Sequence, residues 1–469
     1  MGRADETIVS GGITHLAEHL TLWPLGQLPF RHNGTVTANL TAFVAEGTPQ
    51  QTNEFLRDVA RWLSEPHLDR LEIESRILES EAAMSSGGPF VPAMRLRFGP
   101  VGYGLAGYDQ YGLRRLGEEE VAAWIRDRFT SANAAIWMTG PVNDLDVALP
   151  DGRRVPPPPL NPLAIDWPVH SAIGDRSVAL HFLLRRTPPH TIALAILAKR
   201  AERRLRYERG VSYSVAGMYE ALTADEAHAL LMADSRPGTA PSVSDDLLAL
   251  LDDLGREGPT EQEVSEEAAR YEDAGESDSV AALGAAARDV LLDTPVLWMN
   301  DLAKAIASVT REAVASAARS MWERMLVLGA PTSRHEIDAY PEGRGQVIEG
   351  ETFRAAGETP AGQRLIVGKT GVSLVEPDGL RSTVRFDSCV AAVWSIHANR
   401  TLLAEDGTVI SVTSAGWRDG RRALLAIDAA LPPDVFLDPR HRPRLLAAPP
   451  FARLHPRPRA KFGTPSSPG

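Results

Sequence analysis

The chain has 469 residues, 43% apolar and 23% charged, with a formal charge of -12 and a pI near 5.5. That length allows two or three domains with cores of their own, and the composition excludes wholesale disorder. The acidic balance excludes a nucleic-acid protein, which needs a basic face to displace counterions from phosphate, and favours neutral or basic partners. The single cysteine, Cys389, excludes an internal disulfide. No apolar run reaches membrane-spanning length or resembles an export signal, so a cytoplasmic location without membrane contact is expected. In that setting the N-x-S/T triplets at Asn33, Asn39 and Asn399 are expected to be chance.

The first element in the chain is a helix over Gly11–Leu20 that carries H-x-x-E-H. Residues four apart project from one helix face, so His15 and His19 can reach a single Zn2+. Glu18 lies close enough to take a proton from water at such a metal. Zinc also needs a third protein ligand. The helix predicted over Leu68–Met84 offers Glu74 and Glu81, seven residues apart and on one face. Glu81 is the expected ligand and Glu74 its support; Glu72 and Glu79 share the spacing and form the alternative register.

From Gly117 a capped helix with Val121, Trp124, Ile125 and Phe129 on one face leads into an expected strand, Ala134–Thr139, closing at Gly140 and Pro141. The rhythm returns in a helix from Thr310 with Val314, Ala317, Met321 and Met325, then a strand through Val327, closing at Gly329 and Pro331. This repetition predicts a duplicated α+β unit over residues 1–147 and 169–335. A linker over 148–168, with Pro156–Pro159 in succession, joins the copies. A second linker is expected over 336–361. Residues 362–438 then form a small β-rich unit: runs at Arg364–Val367, Gly371–Val375, Ser382–Phe386, Val390–Ile396 and Val409–Val412, closed by a helix, Gly420–Ala430. Its pattern is analogous to a pleckstrin-homology unit. The Pro- and Arg-rich stretch 439–469 is expected to be a disordered tail. Gly368-Lys369-Thr370 is not a phosphate loop, because Gly362 is one residue too far upstream and no helix is predicted to follow.

Three stretches together resemble the pitrilysin/insulinase family of zinc peptidases: Gly12–His19 for G-[IL]-x-H-x-x-E-H, Glu72–Glu81 for the acidic ligand helix, and Leu205–Val215 for L-R-x-x-x-G-x-x-Y. The resemblance implies an α+β fold of two tandem metallopeptidase-like domains, forming half of a clamshell. It also implies Zn2+ on His15, His19 and Glu81, and endopeptidase action on short or unfolded peptides. Arg206 and Tyr213 match the pair that contacts substrate across the clamshell, which implies a homodimer or a heterodimer with a related subunit. The alternative function is a catalytically inactive, peptidase-like subunit that binds peptides or scaffolds a complex. Two departures stand out. The family usually has two strands before the zinc helix, whereas Met1–Glu6 resembles the V-G-S-x-x-E segment just ahead of it, so Met1 is expected to mark a misassigned start. Thr37-Ala38 stands where Asn-Ala is expected.

Overall fold

The computed structural model describes residues 1–437 except 85–87, 141–144, 173–176, 276–279, 331, 333, 342, 344 and 396–398. The expected tail over 439–469, and the Pro141 and Pro331 at which the repeated strands were expected to close, lie outside the described residues. In the first segment, helices α1 (Ile13–Leu22), α2 (Pro49–Ser64), α3 (Leu71–Met84), α4 (Phe90–Phe98) and α5 (Glu118–Arg128) accompany an antiparallel hairpin of β1 (Arg31–Val36) and β2 (Thr41–Glu46). Helix α2 shows the local logic. Thr48 accepts from the Gln51 N–H while Gln51 accepts from the Thr48 N–H, and Pro49 opens the first turn. Phe55, Val59, Ala60 and Leu63 then recur on the buried face. Phe55, Val59 and Leu63 join Leu16 and Leu20 of α1, Leu78 of α3 and Ile125 of α5 in one core.

The second segment contains β3 (Val169–Ser171), β4 (Ser177–Arg185), α6 (Pro188–Glu202), β5 (Val215–Ala221), β6 (Glu226–Asp234), α7 (Ala240–Glu257), α8 (Glu261–Gly275), α9 (Val280–Leu291), α10 (Met299–Ala307), α11 (Arg311–Glu323), β7 (Leu326–Leu328) and β8 (Asp338–Ala339). Its sheet runs β5-β6-β4-β7-β3-β8, with β4 antiparallel to both β6 and β7. Strand β4 is buried on both faces. Val178, Leu180, Phe182 and Leu184 pack on α6, α7 and α11, whereas Ala179 and Leu183 meet Ala93, Met94 and Phe98 of α4. A sheet apolar on both faces needs cover on both, and the first segment supplies the second layer.

Polar groups fix that junction. Asn39 donates from one buried amide nitrogen to the carbonyls of Ala221 (2.8 Å) and Leu222 (2.9 Å), and the Tyr103 hydroxyl donates to Leu222 at 2.7 Å. Arg97, fully buried on α4, donates to His181 Nδ1 (3.3 Å) and to the His181 carbonyl (3.1 Å), with its guanidinium 4.0 Å from the Trp167 ring centroid. Burial, with the Arg97 and His228 charges second and third, holds His181 well below its ordinary 6.5.

The third segment holds two four-stranded sheets. One is formed by β9 (Glu351–Arg354), β10 (Arg364–Val367), β11 (Gly371–Val375) and β12 (Arg381–Arg385). The other is formed by β13 (Cys389–Ser395), β14 (Asn399–Ala404), β15 (Val409–Thr413) and, beyond α12 (Gly420–Ala430), β16 (Phe436–Leu437). Both sheets and α12 share one core around Leu365, Val384, Leu402, Ile410 and Ile427.

Three expectations need correction. Ala134–Thr139 is not a strand, because no strand lies beside it among the described residues. The stretch 336–361 is not merely a linker: it contains β8 and also β9, which pairs with β10. Strand β14 escaped the apolar pattern because Arg400 interrupts it, its guanidinium held 2.7 Å from Asp428.

Asn39→Ala removes the side-chain donor to the Ala221 carbonyl and leaves Leu222 with the Tyr103 hydroxyl alone, and is expected to lower unfolding free energy by about 1–3 kcal/mol in denaturant titration. The His181 shift carries a sign. The unfolded imidazole protonates near 6.5 and the folded one well below, so the contribution is full above 6.5 and is lost as pH falls below it, by up to about 1.4 kcal/mol per pH unit. Melting temperatures at pH 7.5 and 5.5 should therefore differ more in the native protein than in His181→Asn, which keeps an acceptor for Arg97.

Candidate metal centre

The helix carrying H-x-x-E-H is set by residues that precede it. Gly12 has φ +100°, and a Cβ there would stand 2.8 Å from the Gln110 side chain, so only glycine fits both the left-handed turn and the space. Gly12 brings no capping side chain. The buried carboxylate of Glu6 caps instead, accepting from the N–H of Gly12 and of Thr14, each at 2.9 Å. Leu16, Ala17 and Leu20 turn into the core, which leaves His15 and His19 on the opposite side.

The two rings lie 5.0 Å apart and nearly perpendicular. Each Nε2 stands 3.8 Å from Glu18 Oε2, and ligand atoms of His15, Glu18 and His19 all fall within 4.8 Å of one another. His19 Nδ1 is 3.3 Å from Glu74 Oε2, and Arg70 donates to the other Glu74 oxygen at 3.1 Å. A carboxylate on Nδ1 fixes the tautomer that leaves Nε2 able to bind a metal. His15 Nδ1 is 3.1 Å from the Gln110 amide. The Gln110 Oε1 is buried without a partner; turned onto Nδ1–H, it would orient His15 in the same way.

Glu81, half-exposed on α3, reaches within 3.8 Å of His19 Nε2. The alternative register points elsewhere: Glu79 pairs with Arg114 at 2.7 Å and Glu72 with Arg76 at 3.5 Å. Burial, with His19 second, lowers His15 to about 4 and keeps it neutral, as a metal ligand must be. Burial also pushes Glu18 up to about 7, against the pull of His19 and with a push from Glu81.

The structure thus brings together His15, Glu18, His19, Glu74 and Glu81. Arg206 and Tyr213 lie on the second segment, the guanidinium 5.4 Å from the phenol ring centroid and paired with Glu202. Neither bonds to the histidine cluster among the described residues, and Tyr213 is 77% exposed. Sequence reasoning missed Gln110, Arg70 and Gly34, and gave Glu6 no capping role. Gly34 on β1 lies against the carboxylate and must lack a side chain, since a Cβ there would stand 1.8 Å from Glu18 Oε1. A chain-order pattern gives no signal for Gly34 or Gln110; the hairpin and a distant loop deliver them.

No family model matches the chain, and no curated protein matches its sequence. Solved structures do match its fold. A protease from Helicobacter pylori superposes with a TM-score of 0.58 at 14% identity, over 70% of this chain and 92% of that one. A peptidase M16 inactive domain from Pseudomonas fluorescens gives 0.56 at 13%, over 71% and 92%. A chain of complex III2 from Candida albicans gives 0.54 at 14%, over 70% and 88%.

The chain has an α+β, M16-peptidase-like fold.

On that fold the donor set itself fits zinc: two imidazole nitrogens and a carboxylate oxygen are its usual ligands, and a three-ligand set leaves a position open. Glu74→Ala is expected to weaken zinc binding by about 10- to 100-fold in competitive chelator titration, while melting of the metal-free protein stays cooperative. Unchanged affinity would mean that Glu74 does not orient His19.

Proposed function

We propose that the chain is a zinc-dependent endopeptidase acting on short or unfolded peptides, with Zn2+ on His15, His19 and Glu81. The observation that carries this reading is that both Nε2 atoms lie 3.8 Å from one buried carboxylate, with Glu81 approaching from a second helix. Bound zinc supplies a Lewis acid that polarises the scissile carbonyl and eases deprotonation of water. Glu18 takes a proton from the attacking water as its oxygen adds to the carbonyl carbon. The same carboxyl group then gives that proton to the amide nitrogen as the C–N bond breaks, releasing a carboxylate and an amine. Strand β1 pairs only with β2 among the described residues, and Gly34 sets it against Glu18. An extended peptide added to the outer edge of β1 would pass its carbonyls beside that acid.

Arg206 and Tyr213 offer donors to an oxyanion. Their exposure supports service to the metal centre of a facing subunit, in a homodimer or in a heterodimer with a related chain. Domains over 1–147 and 169–335, and a pleckstrin-homology-like unit that starts with β9 rather than at residue 362, complete the proposed organisation. No helix among the described residues is long and apolar enough to cross a membrane; the lone Cys389 supports the proposed cytoplasmic location. The second reading, an inactive peptidase-like subunit that binds peptides or scaffolds a complex, is favoured by the two-stranded first sheet.

Protein purified without added zinc should contain about one zinc per chain and should cleave an unstructured peptide pool in a chelator-sensitive way. Glu18→Gln should keep the metal yet lower kcat by about 10²–10⁴-fold. Metal-free protein, or a fully active Glu18→Gln, would favour the second reading.

A further inference from the structure

The first sheet of the third segment carries a row of like charges on its outer face. Arg354 of β9 lies directly opposite Arg364 of β10, Arg364 opposite Val375 of β11, and Val375 opposite Arg381 of β12. Beyond β9 the row gains one more position. Ala355 bridges Trp417 in the antiparallel sense, and the Arg418 N–H donates to the Arg354 carbonyl at 2.9 Å. Residues opposed in this way share a face. Phe353, Leu365 and Trp417, each one position away, turn into the core, so the arginines turn out of it.

All four arginines are exposed, and none forms an ion pair or a side-chain hydrogen bond among the described residues. Like charges directly opposite one another destabilise a sheet. Other arginines of the same segment are each given an acid: Arg385 has Asp387, Arg400 has Asp428 and Arg422 has Glu351. The acids on the turn between β11 and β12 are engaged elsewhere, Glu376 by the Gln363 amide and Asp378 by the Leu380 N–H. Residues 438–469 do not supply the counter-charge, since they hold seven Lys and Arg against the single acid Asp438. The row is also narrow. On one side the chain at 346–348 covers its neighbours, with the Ile348 N–H donating to the Ser373 hydroxyl at 3.1 Å and the Thr383 hydroxyl to the Gln346 carbonyl at 3.0 Å. On the other side the strands end. Neighbouring strands stand about 4.8 Å apart, so the row spans about 19 Å, the length of about six extended residues.

We propose that this row binds an extended acidic segment of a partner protein, whose carboxylates are taken up by Arg418, Arg354, Arg364 and Arg381 in turn. A guanidinium fork meets a carboxylate through two parallel hydrogen bonds, which a point charge does not offer. A line of charge one residue wide fits a single polypeptide, whereas a membrane surface presents a plane. The net charge of -12 opposes a nucleic acid, and no aromatic side chain stands in the row to stack on bases. The site is separate from the histidine cluster and depends neither on zinc nor on hydrolysis.

Fluorescent octaglutamate is the probe, titrated with the full chain and followed by anisotropy. Saturable binding is expected at about 50 mM salt, and it should weaken as salt rises to about 500 mM. The double variant Arg354→Gln/Arg364→Gln should weaken it at least about tenfold, with Arg381→Gln on the far strand as a second variant should the double one fold poorly. Arg385→Gln removes an equal charge that already has Asp387, and should leave binding within about twofold. Octalysine should not bind. No saturable binding of octaglutamate, or an equal loss in Arg385→Gln, overturns the proposal. Tighter binding of phosphatidylglycerol vesicles or of octathymidylate, lost in the same double variant, would assign the row to a membrane or a nucleic acid and overturn it equally.

Discussion

Two hydrogen bonds to one buried carboxylate decide where the central helix starts. Glu6 collects the N–H groups of Gly12 and Thr14, so α1 begins at a fixed residue and with a fixed rotation. Had the helix begun a residue later or turned by a quarter, Leu16 and Leu20 would leave the core and the imidazoles would enter it. The price of burying that acid is visible in its pKa, which burial raises despite the two backbone donors and Arg3. Once the helix is fixed, His15 and His19 share a face, Glu18 sits between them, and α3 needs only to present its acidic face.

How much of this was legible in the chain divides by the range of the interaction. The H-x-x-E-H spacing and the Glu74–Glu81 spacing are set by helical periodicity alone, and both pairs stand where that periodicity puts them. Gly34 and Gln110 reach the cluster through a hairpin and a loop distant in sequence, and no local pattern encodes such an approach. Glu6 stood in plain view six residues before Gly12, yet an acid so far ahead of a helix is not a usual cap. The strand expected over Ala134–Thr139 failed for a different reason: its apolar pattern suits a strand, but a strand exists only when something pairs with it. The α+β class, by contrast, followed from patterns repeated over many residues.

The segments depend on each other through their sheets. Helix α4 of the first covers the second face of β4, with Arg97 buried against His181, and α9 of the second lines the open flank of β2. Each segment therefore leaves a surface that the other finishes. This reciprocity holds the histidine cluster on one body with the second segment, on which Arg206 and Tyr213 stay exposed.

The central claim is that two imidazoles and the Glu81 carboxylate hold one zinc while Glu18 stays off the metal. Zinc-edge X-ray absorption on the zinc-loaded protein addresses it most directly. The account predicts two imidazole nitrogens at about 2.0–2.1 Å with oxygen completing the shell, a shell altered by Glu81→Gln and unaltered by Glu18→Gln. A shell that changes with Glu18→Gln and ignores Glu81→Gln would contradict it.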